Sequence, residues 1–296
     1  MERQVCDFLF QHIIAPDLRF NSNTKIEIEA KLGSIKDWER PGERLRLPIL
    51  TDVVLDPQVR RAQFESSMKT DQHARLNKYL NSVTQQSQRP GRVPIQYKHT
   101  RETDYFYDIP QGALHLIDPV VLEFHNRTGA RGAPRLRVTR DNASEAITAV
   151  IIKTRVANIE IRCPNDDFDF RVSISLETQW QGDNWQSFPE HLDQGVRTTR
   201  SKDRLSYRHQ GFLVDLTQVT PFARQGEKAE KVHELEIEMD TDRLIGEGYR
   251  NARGEVNEYE KLVHVFLNNV KVVNRAAKAG PPMMGGLQGG PPPAMR

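Results

Sequence analysis

Hydrophobic positions along the chain change period from one region to the next. Near the N-terminus, Val5, Phe8, Leu9 and Ile13 recur near helical spacing and predict a short amphipathic helix over 3–15. A second helix is predicted over 71–86, where Leu76, Tyr79, Leu80 and Val83 share a stripe and Pro90-Gly91 ends it. A third is predicted over 242–273, although Gly246, Gly248 and Gly254 weaken its first half. From about 97 to 219 the period is two, broken by turn chemistry such as Pro110-Gln111-Gly112 and Gln181-Gly182-Asp183-Asn184, so this stretch reads as a strand meander. Adding the alternating segments 25–32 and 233–239 brings the count to eight or more strands, enough to close a sheet into a barrel.

The polar faces of these strands carry unusual charge. Alternation puts Lys25, Glu27, Glu29 and Lys31 opposite Ile26, Ile28, Ala30 and Leu32, and it gathers Glu234, Glu236, Glu238 and Asp240 on one face. Same-face neighbours along a strand stand about 7 Å apart, so four such carboxylates repel. Other strands are basic: Arg135 with Arg137, Lys153 with Arg155, and Arg200, Lys202, Arg204 and Arg208 in line. A further strand pairs Asp215 with Thr217, and another sets Arg171 and Glu177 opposite Phe170, Val172, Ile174 and Leu176. A surface built only for solubility mixes signs within each strand. Segregated signs predict a polar tunnel, with carboxylates on one wall and Lys/Arg on the other, held together by a bound ion and a polyanion.

Composition narrows the chemistry. The 296 residues carry 42 Lys+Arg and 40 Asp+Glu, a net charge of +2, so no global basic field marks a nucleic-acid binder. Two distant cysteines, Cys6 and Cys163, exclude zinc modules of the CxxC type and point to a reducing compartment, leaving oxygen or nitrogen as metal ligands. Clustered carboxylates suit Mg²⁺ or Mn²⁺, and Lys and Arg clamp phosphate. No Gly-rich phosphate loop, membrane-spanning run or secretory leader is visible, which predicts a cytosolic or nuclear protein without a membrane role. The Pro/Gly-rich residues 276–296 read as a disordered tail after a single domain over 1–275.

Glu27-x-Glu29-x-Lys31 and Glu234-x-Glu236-x-Glu238, with Arg137-x-Thr139, Ile151-Ile152-Lys153, Ser173 to Glu177, Lys202 to Tyr207 and Asp215-Leu216-Thr217, resemble the ordered motifs of the triphosphate tunnel metalloenzymes. The resemblance is closest to the fungal mRNA capping RNA 5′-triphosphatases and covers about residues 1–276. It implies a mainly β fold with helices, an eight-stranded antiparallel tunnel in a homodimer, and hydrolysis of the γ-phosphate from nascent RNA ends in the nucleus. It implies metal ligation by Glu27, Glu29 and Glu238, with Mg²⁺ or Mn²⁺ as cofactor and slow nucleotide hydrolysis with Mn²⁺ or Co²⁺. Phosphate contacts fall on Arg137, Lys202 and Arg204, with Lys153 on the same wall, and Lys31 joins this phosphate-binding set. Glu177 matches the residue that holds the nucleophilic water, while Glu234, Glu236, Asp215 and Thr217 match supporting tunnel positions.

The chain is similar to fission-yeast-like members, which engage the phosphorylated tail of RNA polymerase II and act ahead of the capping guanylyltransferase. Leu213 departs from the family pattern, standing where a relative carries arginine, with Arg155 or Arg208 as compensating cations. Two alternatives remain at this point: an inorganic tripolyphosphatase or nucleoside triphosphatase with the same tunnel, and a non-catalytic polyanion-binding scaffold. Trp180, Trp185 and His233 are read as packing residues.

Overall fold

The computed structural model describes residues 1–17, 20–59, 62–127, 133–193, 196–221 and 230–278. In chain order these form α1 (Glu2–Leu9), β1 (Thr24–Asp37), β2 (Val53–Val54), β3 (Ala62–Glu65), α2 (Thr70–Ser87), β4 (Gln96–Asp108), α3 (Pro119–Arg127), β5 (Arg135–Asp141), β6 (Ile147–Arg162) and β7 (Asp169–Gln179). The chain continues with β8 (Leu192–Asp193), β9 (Val196–Arg197), β10 (Thr199–His209), β11 (Phe212–Pro221), β12 (Val232–Met239), α4 (Thr241–Ala252) and α5 (Tyr259–Ala276). A π-helical turn, Phe10–Ile14, extends α1, so the helix predicted over 3–15 is present in two pitches.

Eight strands close on themselves in the order β1, β12, β11, β10, β4, β5, β6, β7 and back to β1, every pairing antiparallel. Closure turns the alternation into an inside and an outside. The apolar faces of β1, β7 and β12, including Ile28, Leu32, Val172, Ile174, Leu235 and Ile237, point outward into a core shared with Val5, Leu9 and Ile13 and with Val263, Phe266 and Val270 of α5. The usual barrel is thus inverted: hydrophobic burial, roughly 1.5–3 kcal/mol per large side chain, lies between wall and helices, and the charged faces are left to the lumen. A second cluster, with Trp180, Trp185 and Phe188 beside Leu136, Val138 and Ile152, covers the β5–β6 side, so both tryptophans pack as the sequence predicts. His233 also has its predicted structural role, buried with its ring 4.7 Å from that of His73.

Two close approaches demand glycine. A Cβ on Gly33 would lie 2.3 Å from the Glu65 carbonyl oxygen, where β3 pairs with the end of β1. One on Gly248 would lie 2.5 Å from Ile14, where α4 meets the π-helical turn.

Three expectations are corrected. The helix predicted over 242–273 is two helices, because Gly254 adopts φ +70° and Arg253 to Glu258 turn the chain between α4 and α5. The stretch 97–219 also holds α3 and short 3-10 turns at Gln111–Leu116 and Trp185–Ser187, where packing on the barrel overrides the strand reading. The tail predicted over 276–296 is corrected at its start only, since Ala276 ends α5 and Ala277 is fully buried; 279–296 lie outside the described residues.

Candidate active site

The lumen of the barrel encloses a cavity of about 400 Å³. Its lining contains seven acidic residues, Glu27, Asp104, Glu177, Asp215, Glu234, Glu236 and Glu238, and seven basic ones, Lys31, Arg137, Lys153, Arg155, Arg200, Lys202 and Arg204. Thr217 and Leu213 complete the polar and apolar parts of the wall around Asp215. Strand pairing brings these residues together. Glu29 stands opposite Glu238, Lys31 opposite Glu236, Asp215 opposite Glu236, Thr217 opposite Glu234, Arg204 opposite Thr217, and Lys153 opposite Glu177. Every site residue chosen from the sequence lines this cavity except Glu29, which shares the inner face of β1 with Glu27 and Lys31 but is completely buried among Lys31, Lys153 and Arg155.

The two-wall picture needs correction, because the signs interleave. Lys153 reaches across to Glu27 and stands 3.5 Å from Glu29 and 3.8 Å from Glu177. Arg155 lies 3.4 Å from Glu29, and Lys31 lies 3.7 Å from Glu29 and 2.5 Å from Glu236. Around the rest of the ring, Arg200 meets Glu234 at 3.4 Å, Arg204 meets Asp215 at 3.2 Å, and Arg137 meets Glu177 at 3.2 Å. Lys202 meets Asp104 at 2.8 Å, and the Thr139 hydroxyl donates to the same carboxylate at 2.7 Å. Interleaving is what burial requires, since an unpaired charge inside a protein costs far more than a paired one.

The pairing is uneven. Burial pushes the Glu238 carboxyl up to about 8, reinforced by Glu27, Asp215 and Glu236 and opposed by Lys153, and among the described residues no cation forms an ion pair with it. Burial likewise raises Glu27 to about 7 against the pull of Lys153, with Glu29 and Glu177 adding repulsion. Burial alone would raise Glu236 too, but Lys31 and Lys153 outweigh it and hold that carboxyl at about 2. Burial also raises Asp215 and Glu234 despite Arg204 and Arg200, and it holds Lys202 below its ordinary range in spite of Asp104.

Among the described residues of the lumen, two sets of carboxylates could hold a cation: Glu27 with Glu29 and Glu238, and Asp215 with Glu236 and Glu238, each offering oxygens within 4.8 Å of one another. Glu238 belongs to both. An all-oxygen donor set in which burial raises Glu27, Asp215 and Glu238 fits a hard divalent ion, whose charge supplies what the protein's own cations leave uncompensated. The lining also holds donors with no acceptor. Arg137 Nε, Arg155 Nη1, Arg204 Nε and the Thr217 hydroxyl are buried without a hydrogen-bond partner among the described residues. Buried donors without partners are rare, and a phosphate group, rich in acceptor oxygens, satisfies several at once.

Sequence reasoning missed Asp104. Its signal was present as alternation through Lys98, Thr100, Glu102 and Asp104, which sets two carboxylates on the inner face of β4 beside Lys202. Arg155 was read as a cation compensating for Leu213 and Arg200 as a basic-face residue without a role, and both line the lumen. Arg171, opposite Lys31 on the same face of β7 as Glu177, is held by Glu160 at 2.6 Å with its guanidinium 4.5 Å from the Phe64 ring centre, and it does not line this cavity. Leu213 does face the lumen, opposite Glu238 on one side and Arg208 on the other.

A family model described as mRNA capping enzyme, beta chain, matches residues 1–279. The chain is 32% identical over 273 residues to the mRNA-capping enzyme subunit beta of Schizosaccharomyces pombe, covering 92% of this chain and 79% of that one. It is 30% identical to the Yarrowia lipolytica protein of the same description, covering 86% of this chain but 56% of that one. The solved structure of the S. pombe Pct1 RNA triphosphatase superposes with a TM-score of 0.74 at 30% identity, covering 93% of this chain and 92% of Pct1. Pct1 in complex with the Spt5 CTD gives a TM-score of 0.75 at 30% identity, covering 93% of each chain.

Proposed function

This chain belongs to the mRNA capping enzyme beta-chain family, and on that premise we propose that it is an mRNA 5′-triphosphatase that converts the triphosphate end of nascent RNA to a diphosphate end, releasing inorganic phosphate. The observation that carries this reading is the lumen, where seven carboxylates and seven cations surround buried Arg and Thr donors that lack acceptors.

The residues divide the work by chemistry. Arg137, Lys202 and Arg204, with Lys153, take the terminal phosphate, because a guanidinium matches phosphate oxygens with its planar fork and an ammonium supplies a point charge. Their charges remain fixed as negative charge shifts during transfer, which makes them stabilisers that need no reorganisation. Glu177 lines the lumen between Arg137 and Lys153 and orients the attacking water, whose oxygen bonds to the γ-phosphorus as the bridge to the β-phosphate breaks. Lys31 holds Glu236, Arg200 holds Glu234, and Asp215 with Thr217 fixes the wall beside Arg204. Glu27, Glu29 and Glu238 would hold Mg²⁺ or Mn²⁺, with Asp215 and Glu236 as the adjoining set. When bound, that ion supplies positive charge against the phosphate.

The description "capping enzyme, beta chain" supports a guanylyltransferase as functional partner. The S. pombe relative's complex with the Spt5 CTD supports docking of a C-terminal-domain peptide, of Spt5 or of phosphorylated RNA polymerase II. A homodimer and a nuclear site of action belong to the same proposal. The test is phosphate release from triphosphate-ended RNA with and without Mg²⁺ or Mn²⁺. Release that a chelator abolishes and either ion restores supports the reading, and release that persists after chelation contradicts its metal requirement.

A further inference from the structure

The lumen opens at one end into a second cavity, of about 480 Å³, that shares Arg204, Leu213 and Asp215 with the first. Its remaining wall comes from the first half of β4, with Gln96, Tyr97, Lys98, Thr100 and Glu102, and the second half of β10, with Ser206 and Arg208. Register explains the grouping, since Thr100 faces Arg204, Lys98 faces Ser206, and Gln96 faces Arg208 on the same inner face that carries Arg204 into the tunnel.

Lys98 and Arg208 differ from the cations deeper inside. Each of the seven basic residues lining the tunnel stands within 4.0 Å of a carboxylate, whereas Lys98 and Arg208 form no such pair among the described residues, and both are exposed. The neighbouring inward positions on β10 and β4 are the neutral Ser206, Gln96 and Thr100, the cross-strand neighbour of Arg208 on β11 is Leu213, and the two carboxylates of this cavity are engaged deeper in, Glu102 by Lys202 at 3.8 Å and Asp215 by Arg204 at 3.2 Å. At the opposite end Arg171 is held by Glu160 and Arg200 by Glu234, while Arg135 stands opposite Asp108 across the ladder, a carboxylate that His191 engages. One mouth therefore offers unpaired positive charge continuous with the phosphate-binding wall.

Resting on the proposed function, we infer that this mouth is where the RNA chain leaves the tunnel, with Lys98 and Arg208 holding the phosphodiester backbone behind the triphosphate. Chemistry selects this occupant. A polyanion whose terminal phosphates reach Arg204 continues into the cavity that shares Arg204, and two exposed cations outside any ion pair among the described residues neutralise backbone phosphates without reading bases. Inorganic tripolyphosphate has no chain beyond its last phosphate and does not need these residues.

The test uses the full chain with Lys98→Ala and Arg208→Ala combined, and with Arg135→Ala as a control at the other mouth. On triphosphate-ended RNA the double variant is expected to raise KM about tenfold with kcat unchanged. Its plot of log KM against log salt concentration should flatten by about 1.4, because each lost phosphate contact on a single strand removes about 0.7 from the slope. KM for tripolyphosphate should not change, and Arg135→Ala should match the parent on both substrates. An unchanged KM for RNA, an equal rise on both substrates, or an effect confined to Arg135→Ala overturns the inference while leaving the proposed function in place. A parent protein that releases no phosphate from RNA overturns both.

Discussion

Glu29 on β1 and Glu238 on β12 stand directly opposite one another in the antiparallel register. Like charges facing across a ladder are destabilising, and the two residues are relieved differently. Glu29 has Lys31, Lys153 and Arg155 within 3.7 Å, 3.5 Å and 3.4 Å. Glu238 has no such partner among the described residues, and its carboxyl is pushed up to about 8. One carboxylate is thus compensated by the protein's own cations and the other is not.

That asymmetry predicts a pH dependence. Glu238 and Glu27 sit at about 8 and about 7 in the folded chain, above the ordinary 4.5. Between those values the folded protein retains protons that the unfolded chain has released, so metal-free stability falls as pH rises from about 4.5 to 8. An ion that binds the ionised carboxylates reverses the penalty. The rise in melting temperature on adding Mn²⁺ is expected to be larger at pH 8 than at pH 6, as measured by scanning fluorimetry; an equal rise at both would contradict the assignment.

Neutralising Glu238 should separate stability from activity. Glu238→Gln removes a charge that burial and three carboxylates oppose, so the metal-free variant is expected to melt higher than the parent at pH 8. It should gain little from Mn²⁺ and lose phosphatase activity. Glu236→Gln should behave in the opposite way. It strips Lys31 of its 2.5 Å partner, and melting temperature should fall.

Away from the lumen, Asp169 is completely buried and accepts from Arg44, Arg162, Ile35 N and Cys163 N. Asp169→Ala leaves Arg162 buried without its carboxylate and is expected to cost about 3–5 kcal/mol in denaturant unfolding. The bound Mn²⁺ should still raise the melting temperature, because no Asp169 contact reaches the tunnel lining.

The barrel was legible because strict alternation in residues 25–32 and 233–239 admits one inside and one outside, and the charged side could not be the one against the helices. The site was legible for the same reason, as charged positions two apart share a face. What alternation does not encode is which strand lies beside which. The reach of Lys153 to Glu27 and Glu29 depends on β7 standing between β6 and β1, and the meeting of Lys202 with Asp104 depends on the distant β4 pairing with β10. A single strand's sequence therefore suggested separate acidic and basic walls, while the closed sheet interleaves them. The break at Gly254 was a local signal that a continuous helical stripe outweighed.

The central claim is that the lumen removes the terminal phosphate of triphosphate-ended RNA. Its most direct test is phosphate release from RNA labelled at the γ position, comparing the parent with folded Glu27→Ala, Glu238→Ala and Arg204→Ala in the presence of Mg²⁺ or Mn²⁺. The account predicts one phosphate released and one diphosphate end formed per RNA for the parent, and a loss of about 10²–10³-fold or more in each variant. Full activity in all three variants would contradict it.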